Sequence, residues 1–358
     1  MLFEDGRITD VTPDDDPRLA RARAYDLKGA LLLPGFIDTQ VNGGGGVLFN
    51  DCPTVEGIRR IGAAHRRFGT TGFLPTLISD DLDVVAAGIA AVDAAVAAGI
   101  PGLLGIHIEG PFLSRRKPGV HSPDRFRVPD ASAVDLLTSL KHGVTLATLA
   151  PEVTTPALLA QLHQAGIIVS AGHTDATFAD IKAALCAGVT GFTHLFNAMS
   201  PLTSREPGAV GAALNDPDSW CGIIVDGHHV DPAVLRIALR AKRHDRFMLV
   251  TDAMPCVGTT ERSFLLQGRR ITVRDGYCVD DQGTLAGTAL TMADAVRNTV
   301  RLLELPLPEA ARMASTHPAT FLGLSGELGS IEADRRACFV AADDDLNVLN
   351  TWIDGEIG

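Results

Sequence analysis

The chain has 358 residues, of which 46% are hydrophobic and 21% are charged. This balance is typical of a globular protein with a large core and excludes a disordered chain. The 31 Lys and Arg against 43 Asp and Glu give a formal net charge of -12, without a long basic run. We therefore expect no nucleic-acid partner and no membrane attachment, and an anionic substrate would need a local cationic pocket.

The start of the chain and its cysteines favour a cytoplasmic protein. The chain begins MLFEDGRITDV, which lacks the basic and then apolar stretch of a secretory signal. The six cysteines are scattered without a CxxC pair and are expected to be reduced thiols. The most apolar stretch, residues 84–100, contains Asp93 and stops at Pro101, so it predicts a helix with a buried face and not a membrane span.

Both ends of the chain predict short strands joined by turns. The pairs Asp5-Gly6 and Asp354-Gly355 are turn signals. We expect residues 1–33 and 322–358 to form one small β-sandwich domain, with a barrel domain over residues 34–321 between them. A meander at residues 263–280 and two helices near 292–304 and 309–315 would follow the last barrel strand.

The middle of the chain alternates apolar runs with helical patterns. Such an alternation predicts a parallel sheet covered on both faces, in an α/β protein. The eight runs are residues 36–39, 71–76, 103–109, 144–149, 167–172, 191–195, 221–226 and 247–252. Helical patterns lie at residues 55–68, 156–165, 178–187 and 232–243.

Eight strands close a (β/α)8 TIM-like barrel, but an open doubly wound sheet is the competing fold. The positions of polar residues favour the barrel. His107 with Glu109, His173, His194 and Asp252 each fall at or just past the end of a predicted strand. A barrel brings all these strand ends to one rim, whereas an open sheet would scatter them.

Glu109, His173, His194 and Asp252 form the strongest chemical pattern in the sequence. One carboxylate and two imidazoles suit Zn²⁺ or Fe²⁺ and leave a position open for water. Asp252 would then be free to take a proton from that water and to deliver it to a leaving nitrogen. A single His at a strand end is more often structural, but four such residues on one rim favour a metal site.

The motifs around these residues closely resemble the N-acetylglucosamine-6-phosphate deacetylase family of the amidohydrolase superfamily. They occur in the family order over nearly the whole chain, and HxEGPF together with HLFNAM is specific to that family. The motifs are PGFIDTQVNG (34–43), HIEGPFL (107–113), SAGHTDA (170–176), THLFNAMSPL (193–202), DGHHVDP (226–232), LVTDAM (249–254) and LAGTALTM (285–292).

The resemblance implies a role for each matching residue. Glu109, His173 and His194 would be the metal ligands, and Asp252 the catalytic acid and base. His121, in PGVH, would polarise the acetyl carbonyl together with the metal; on its own it would be read as a loop residue. The remaining substrate contacts would come from Gln40, Asn197, Ala198, Arg205 and His229.

Two features at the end of the first predicted strand refine these expectations. Gln40 and Asn42 stand where many amidohydrolases have His-x-His, and amides are poor ligands for transition metals. We therefore expect one divalent metal per subunit, zinc first and ferrous iron as the alternative. The run Gly43 to Gly46 lacks the GxxxxGK[ST] pattern and is expected to be a flexible loop at the active site.

The expected reaction is hydrolysis of N-acetylglucosamine 6-phosphate to glucosamine 6-phosphate and acetate, in amino-sugar catabolism or recycling. The expected partners are this small molecule and a second copy of the chain, in a homodimer or a larger homo-oligomer. Three alternatives stay open. They are a deacetylase of N-acetylgalactosamine 6-phosphate, an inactive sugar-phosphate-binding relative, and a metal-free barrel such as an isomerase, which gives no reason for the His and Asp set.

Overall fold

The structure is a computed structural model and describes residues 1–13 and 15–358. Eight parallel strands form one sheet, in which each strand pairs with the next one along the chain. This confirms the predicted barrel and its eight runs. The first to eighth barrel strands are Phe36–Val41, Thr70–Ile78, Gly105–Glu109, Val144–Leu149, Ile168–Ala171, Val189–Phe192, Trp220–Ile223 and Phe247–Leu249.

Helices connect and surround the barrel strands. Their starts follow from the sequence, because hydroxyl residues accept hydrogen bonds from the free N–H groups of the first turn. Thr54 and Thr177 do so, the latter in a capping box with Asp180. The α-helices are Val55–Arg66, Leu82–Ala97, Ala131–Leu137, Pro156–Gln164, Phe178–Cys186, Gly208–Asn215, Pro232–Ala241, Met292–Leu302, Leu307–Ala314 and Thr316–Phe321. Short 3-10 helices lie at Pro17–Arg21, Pro123–Arg125, Pro151–Val153 and His244–Arg246.

The main core lies between the barrel strands and this outer helical layer. Phe73, Phe192 and Phe247 are almost completely buried within it. Helix Leu82–Ala97, the most apolar stretch of the sequence, packs Val85, Ile89 and Val92 into the same core. Among the described residues, none of the helices combines the length and the apolar character needed to span a membrane.

Segments from both ends of the chain build a second β unit beside the barrel. A four-stranded antiparallel sheet pairs strand Leu31–Pro34 with Phe339–Ala342, Val348–Ile353 and Glu356–Ile357. The hairpin Leu2–Glu4 and Arg7–Asp10 joins it through Ile8, which is buried against Phe339 and Trp352. The domain boundaries at residues 33/34 and 321/322 stay a prediction.

A four-stranded antiparallel meander follows the eighth barrel strand, as predicted, and extends to residue 288. Its strands are Ser263–Leu266, Arg269–Arg274, Tyr277–Asp280 and Leu285–Thr288. The first turn reaches across to the loops at the barrel mouth. There Gln267 Nε2 donates to the Ser79 carbonyl at 2.7 Å, and the Arg269 guanidinium donates to the Val120 carbonyl.

The run Gly43 to Gly46 begins with two buried residues and is hydrogen-bonded, which corrects the expectation of a flexible loop. Gly43–Gly44 pairs with Val47–Leu48 in a short hairpin. Gly43 N–H donates to Ala253 O at 3.0 Å and Gly45 N–H to Val257 O at 2.8 Å. A Cβ on Gly43 would lie 2.3 Å from the Val47 carbonyl oxygen, so close backbone approach is the reason for glycine here.

Candidate metal centre and active site

The polar residues singled out in the sequence lie at the carboxyl ends of four barrel strands. Glu109 is the last residue of the third strand. His173, His194 and Asp252 follow the fifth, sixth and eighth strands with φ of 47°, 36° and 52°. These left-handed conformations are uncommon for residues other than glycine and cost about 1–3 kcal/mol each. The chain therefore turns sharply at each tip, which points the side chain into the barrel mouth.

Three of these side chains converge on one point. Glu109 Oε1 lies 3.1 Å from His173 Nε2 and 2.8 Å from His194 Nε2. The two imidazole nitrogens are 3.1 Å apart. All three side chains are buried. No other group of three or more ligand-type residues occurs in the described part of the chain.

This cluster fits a transition-metal ion. Ligand atoms about 2.0–2.1 Å from a tetrahedral ion are about 3.3 Å apart, close to the spacing seen here. His173 Nδ1 lies 3.0 Å from the Lys117 carbonyl oxygen, which can only accept a hydrogen bond. His173 therefore carries its proton on Nδ1, and its Nε2 lone pair faces His194 and Glu109.

The charge balance of the cluster also favours a cation. Burial disfavours the charged form of Glu109, yet the close contacts with the His173 and His194 imidazoles hold the pKa of this carboxyl well below its ordinary value. Burial likewise opposes protonation of His194, but the Glu109 carboxylate raises the pKa of that imidazole. The Glu109 carboxylate thus stabilises a proton on the His194 imidazole. A bound divalent cation would replace that proton and meet the same carboxylate.

Asp252 lies beside the cluster and is held by two amides. Asn42 Nδ2 donates to Asp252 Oδ1 at 2.6 Å. Gln40 Nε2 lies 3.2 Å from the same oxygen and 3.1 Å from Glu109 Oε2, so it bridges the two carboxylates. Burial and the nearby Glu109 charge raise the pKa of Asp252 to about 6. A carboxylate with a raised pKa is suited to accept and return a proton near neutral pH.

His121 completes the mouth from the loop after the third strand. Its ring contacts that of His173 at an interplanar angle of 49°, with centroids 4.3 Å apart. The Ser79 backbone N–H donates to His121 Nδ1 at 3.3 Å, and the Ser79 hydroxyl lies 2.9 Å from the same atom. Burial, with the neighbouring His173, holds the pKa of His121 well below its ordinary value. The ring is therefore neutral, with its proton on Nε2 and available as a donor.

The residues expected to contact substrate are only partly brought together. Gln40 lies in the cluster, and Asn197 follows His194, whose carbonyl accepts from the Asn197 side chain at 3.2 Å. Ala198 has a φ of 48° in the same loop. His229 is held by Asp226, with Nδ1 2.6 Å from Oδ2.

Arg205, by contrast, is exposed on the loop of residues 201–206. It makes no hydrogen bond or ion pair with any residue that the structure describes.

Other residues at the mouth have functions that the sequence reasoning did not assign. Asn42 was considered only as a missing metal ligand, yet it holds Asp252. Ser79 fixes His121, and no local pattern marks it. His107, grouped with Glu109 in the sequence, lies deeper in the barrel, where its nitrogens pair with Thr76 and Thr148 at 3.2 and 2.7 Å. It is a structural histidine.

Comparison with known proteins agrees with this geometry. The sequence model of the Amidohydrolase family matches residues 31–358. The chain is 46% identical to an N-acetylgalactosamine-6-phosphate deacetylase from Shewanella sp. (strain ANA-3), over 93% of this chain and 84% of the relative. It is 38% identical to an N-acetylglucosamine-6-phosphate deacetylase from Haemophilus influenzae, over 93% of this chain and 88% of the relative.

A solved deacetylase structure also has the same fold as this chain. The crystal structure of N-acetylglucosamine-6-phosphate deacetylase from Pasteurella multocida superposes with a TM-score of 0.95 at 36% identity. The match covers 99% of this chain and 93% of that one. The chain therefore belongs to the amidohydrolase family, in the branch that contains the N-acetylglucosamine-6-phosphate deacetylases.

Proposed function

We propose that this chain hydrolyses the acetamide of N-acetyl-D-glucosamine 6-phosphate to D-glucosamine 6-phosphate and acetate. The observation that carries the proposal is the convergence of Glu109, His173 and His194 beside Asp252. It occurs in a chain whose relatives are deacetylases of hexosamine 6-phosphates. The reaction would serve amino-sugar catabolism or recycling in the cytoplasm.

Glu109, His173 and His194 would hold one divalent transition metal, zinc first and ferrous iron as the alternative. When bound, such an ion acts as a Lewis acid toward the acetamide carbonyl and makes water more acidic. Gln40 and Asn42 supply amides where a second ion would need imidazoles. The proposed site therefore takes a single ion.

The side chains at the barrel mouth would stabilise the developing charge and transfer the proton. His121 Nε2–H donates to the acetamide oxygen as negative charge develops on it. Asp252 accepts a proton from the water whose oxygen bonds to the carbonyl carbon. The protonated Asp252 then donates to the amide nitrogen as the carbon–nitrogen bond breaks, which yields acetic acid and the free amine and restores the Asp252 carboxylate. At neutral pH the acetic acid loses its remaining proton to solvent or to the amine and leaves as acetate.

Sugar and phosphate contacts would come from Asn197, Ala198, Arg205 and His229. Arg205 suits the phosphate because its planar guanidinium pairs with two oxygens at once. The Asp226 carboxylate at 2.6 Å occupies Nδ1 of the His229 ring and fixes its orientation, so that Nε2 is the nitrogen left for the substrate. These groups would give the acidic chain its local attraction for an anion.

A variant of one proposed ligand tests the metal site. His194→Asn removes one of the three converging atoms, so metal affinity should fall by at least about 100-fold. Elemental analysis of the purified variant should then find far less than one ion per chain. His229→Asn is the matched control, since it lies outside the cluster and should retain the ion. Full metal content in His194→Asn would contradict the assignment.

The proposed acid and base can be tested with Asp252→Asn. The amide keeps the shape but cannot shuttle the proton, so kcat for acetate release should fall by about 10²–10⁴-fold. Metal content should stay near that of the wild type. Asp281→Asn, an exposed change in the meander, should leave kcat unaltered. Turnover of Asp252→Asn within about tenfold of the wild type would refute the role.

The galacto epimer is a second candidate substrate, because the Shewanella relative at 46% identity is a deacetylase of N-acetylgalactosamine 6-phosphate. The two sugars differ at one hydroxyl, which a site can distinguish when it hydrogen-bonds that group. We expect kcat/KM for the gluco substrate to exceed that for the galacto substrate by at least about tenfold. Parallel acetate-release assays measure this ratio, and the reverse order would assign the galacto function.

We further propose that two copies of the chain pair through an apolar groove next to the Arg205 loop. The groove has a volume of about 310 Å³. At its edge, Leu202 and Ile237 are 59% and 61% exposed. Arg205 lies three residues from Leu202, so a copy seated here would bring Arg205 close to the partner's surface. The lining residues are Phe196, Pro201, Leu202, Val210, Leu214, Val234, Ile237 and Ala238.

Ile237→Glu places a charge in this groove and should separate the copies. Sedimentation equilibrium should give the mass of one chain, where the wild type gives at least two. KM should rise if the partner's Arg205 binds the phosphate. Val128→Glu, at a residue that is 77% exposed elsewhere, is the control and should keep the wild-type mass. An unchanged mass for Ile237→Glu would exclude this interface.

A further inference from the structure

The barrel closes differently between its first and eighth strands than elsewhere. The other neighbouring strands pair through their backbones. Across this seam the described backbone contacts are an isolated bridge between Val41 and Ala253 and a bond from Gly43 N–H to Ala253 O. Deeper in the seam, the carboxylate of Asp38 accepts hydrogen bonds from the Thr251 hydroxyl and from the Thr251 N–H, the latter at 3.3 Å.

Asp38 is completely buried, which makes its presence informative. A carboxylate removed from water costs free energy unless hydrogen bonds satisfy it. Here the donors are uncharged: the Thr251 hydroxyl and N–H, and the Gln40 N–H at 3.2 Å. An apolar residue could fill the same space without that cost. The carboxylate is therefore expected to contribute position more than stability.

Thr251 immediately precedes Asp252, whose backbone lies in the left-handed region. The last strand of the meander, Leu285–Thr288, fixes the carbonyls of Thr251 and Asp252. Thr288 Oγ1 donates to Thr251 O at 2.6 Å, and Thr288 N–H donates to Asp252 O at 3.0 Å. A Cβ on Gly287 would lie 2.7 Å from the Asp252 carbonyl oxygen, so the packing is tight. The strained turn is held from the meander side by Thr288 and from the barrel side by Asp38.

Asp38 is also linked to the Asp252 carboxylate through Gln40. Its Oδ1 accepts the Gln40 N–H, and the Gln40 side chain donates to Asp252 Oδ1 at 3.2 Å. Asp38 thus holds Thr251, which precedes the proposed base Asp252, and Gln40, whose side-chain amide contacts that base. We propose that Asp38, acting through Thr251, is a positioning residue that fixes Asp252 for proton transfer. This inference rests on the proposed function of Asp252.

Thr251→Val tests the contact, because it keeps the size and the backbone N–H and removes the hydroxyl that donates to Asp38 and accepts the Ala253 N–H at 3.2 Å. Displacement of a catalytic group by about 1 Å costs on the order of 100-fold in rate. We expect kcat for acetate release from N-acetylglucosamine 6-phosphate to fall by about 10- to 100-fold. KM and metal content should stay near wild-type values. Thr251→Ser restores the hydroxyl and should recover most of the lost kcat.

Thr299→Val is the matched control. Thr299 is also fully buried, but its hydroxyl bonds to Ala295 O inside helix Met292–Leu302, so its removal should not alter kcat. Should Thr251→Val fail to fold, Asp38→Leu carries the test. Leu has a similar branched shape and no acceptor for the Thr251 hydroxyl or the Gln40 N–H, so the same selective fall in kcat is expected.

The outcomes separate this inference from the proposed function. A wild type that releases no acetate from the substrate overturns the proposed function and this inference with it. An active wild type with an equally active Thr251→Val overturns the positioning role alone. A variant that loses metal or substrate affinity together with kcat, or that Thr251→Ser does not rescue, would show a structural role and overturn it as well.

Discussion

A single oxygen, Glu109 Oε1, lies within 3.1 Å of two imidazole nitrogens, and the proposed chemistry of the molecule depends on that meeting point. The three residues come from different strands, so only a closed barrel can bring them together. Closure also places Asp252 beside them, and burial then gives its carboxyl a pKa of about 6. The site therefore depends on the closed fold, because a barrel that opened between its first and eighth strands would separate Asp252 from Gln40 and Asn42.

Much of this arrangement could be predicted from the sequence. Eight apolar runs gave the strand count because parallel strands are buried on both faces. Polar residues at the run ends indicated the rim, since strand ends in a barrel share one mouth. His173, His194 and Asp252 were found in that way. The family resemblance was needed for His121, which has no periodic signal in its loop.

The contacts across the seam could not be predicted. Asn42 and Asp252 are 210 residues apart, and Asp38 and Thr251 are 213 apart. Periodicity shows which face of a strand is buried, but not which distant side chain meets it. The run Gly43 to Gly46 predicted a flexible loop at the active site, whereas its ordered pairing depends on the distant carbonyls of Ala253 and Val257. Helix Gly208–Asn215 was missed because Ala and Gly give it no contrasting faces.

The left-handed turns at His173, His194 and Asp252 carry a consequence for the evolution of the protein. Glycine would adopt this backbone without steric cost, so replacements that relax these turns would make the fold more heat-resistant. The same replacements would remove the two imidazoles proposed to bind the metal and the carboxylate proposed to transfer the proton. Selection for durability and selection for turnover therefore oppose each other at these positions, and gains in thermal tolerance must arise elsewhere in the chain.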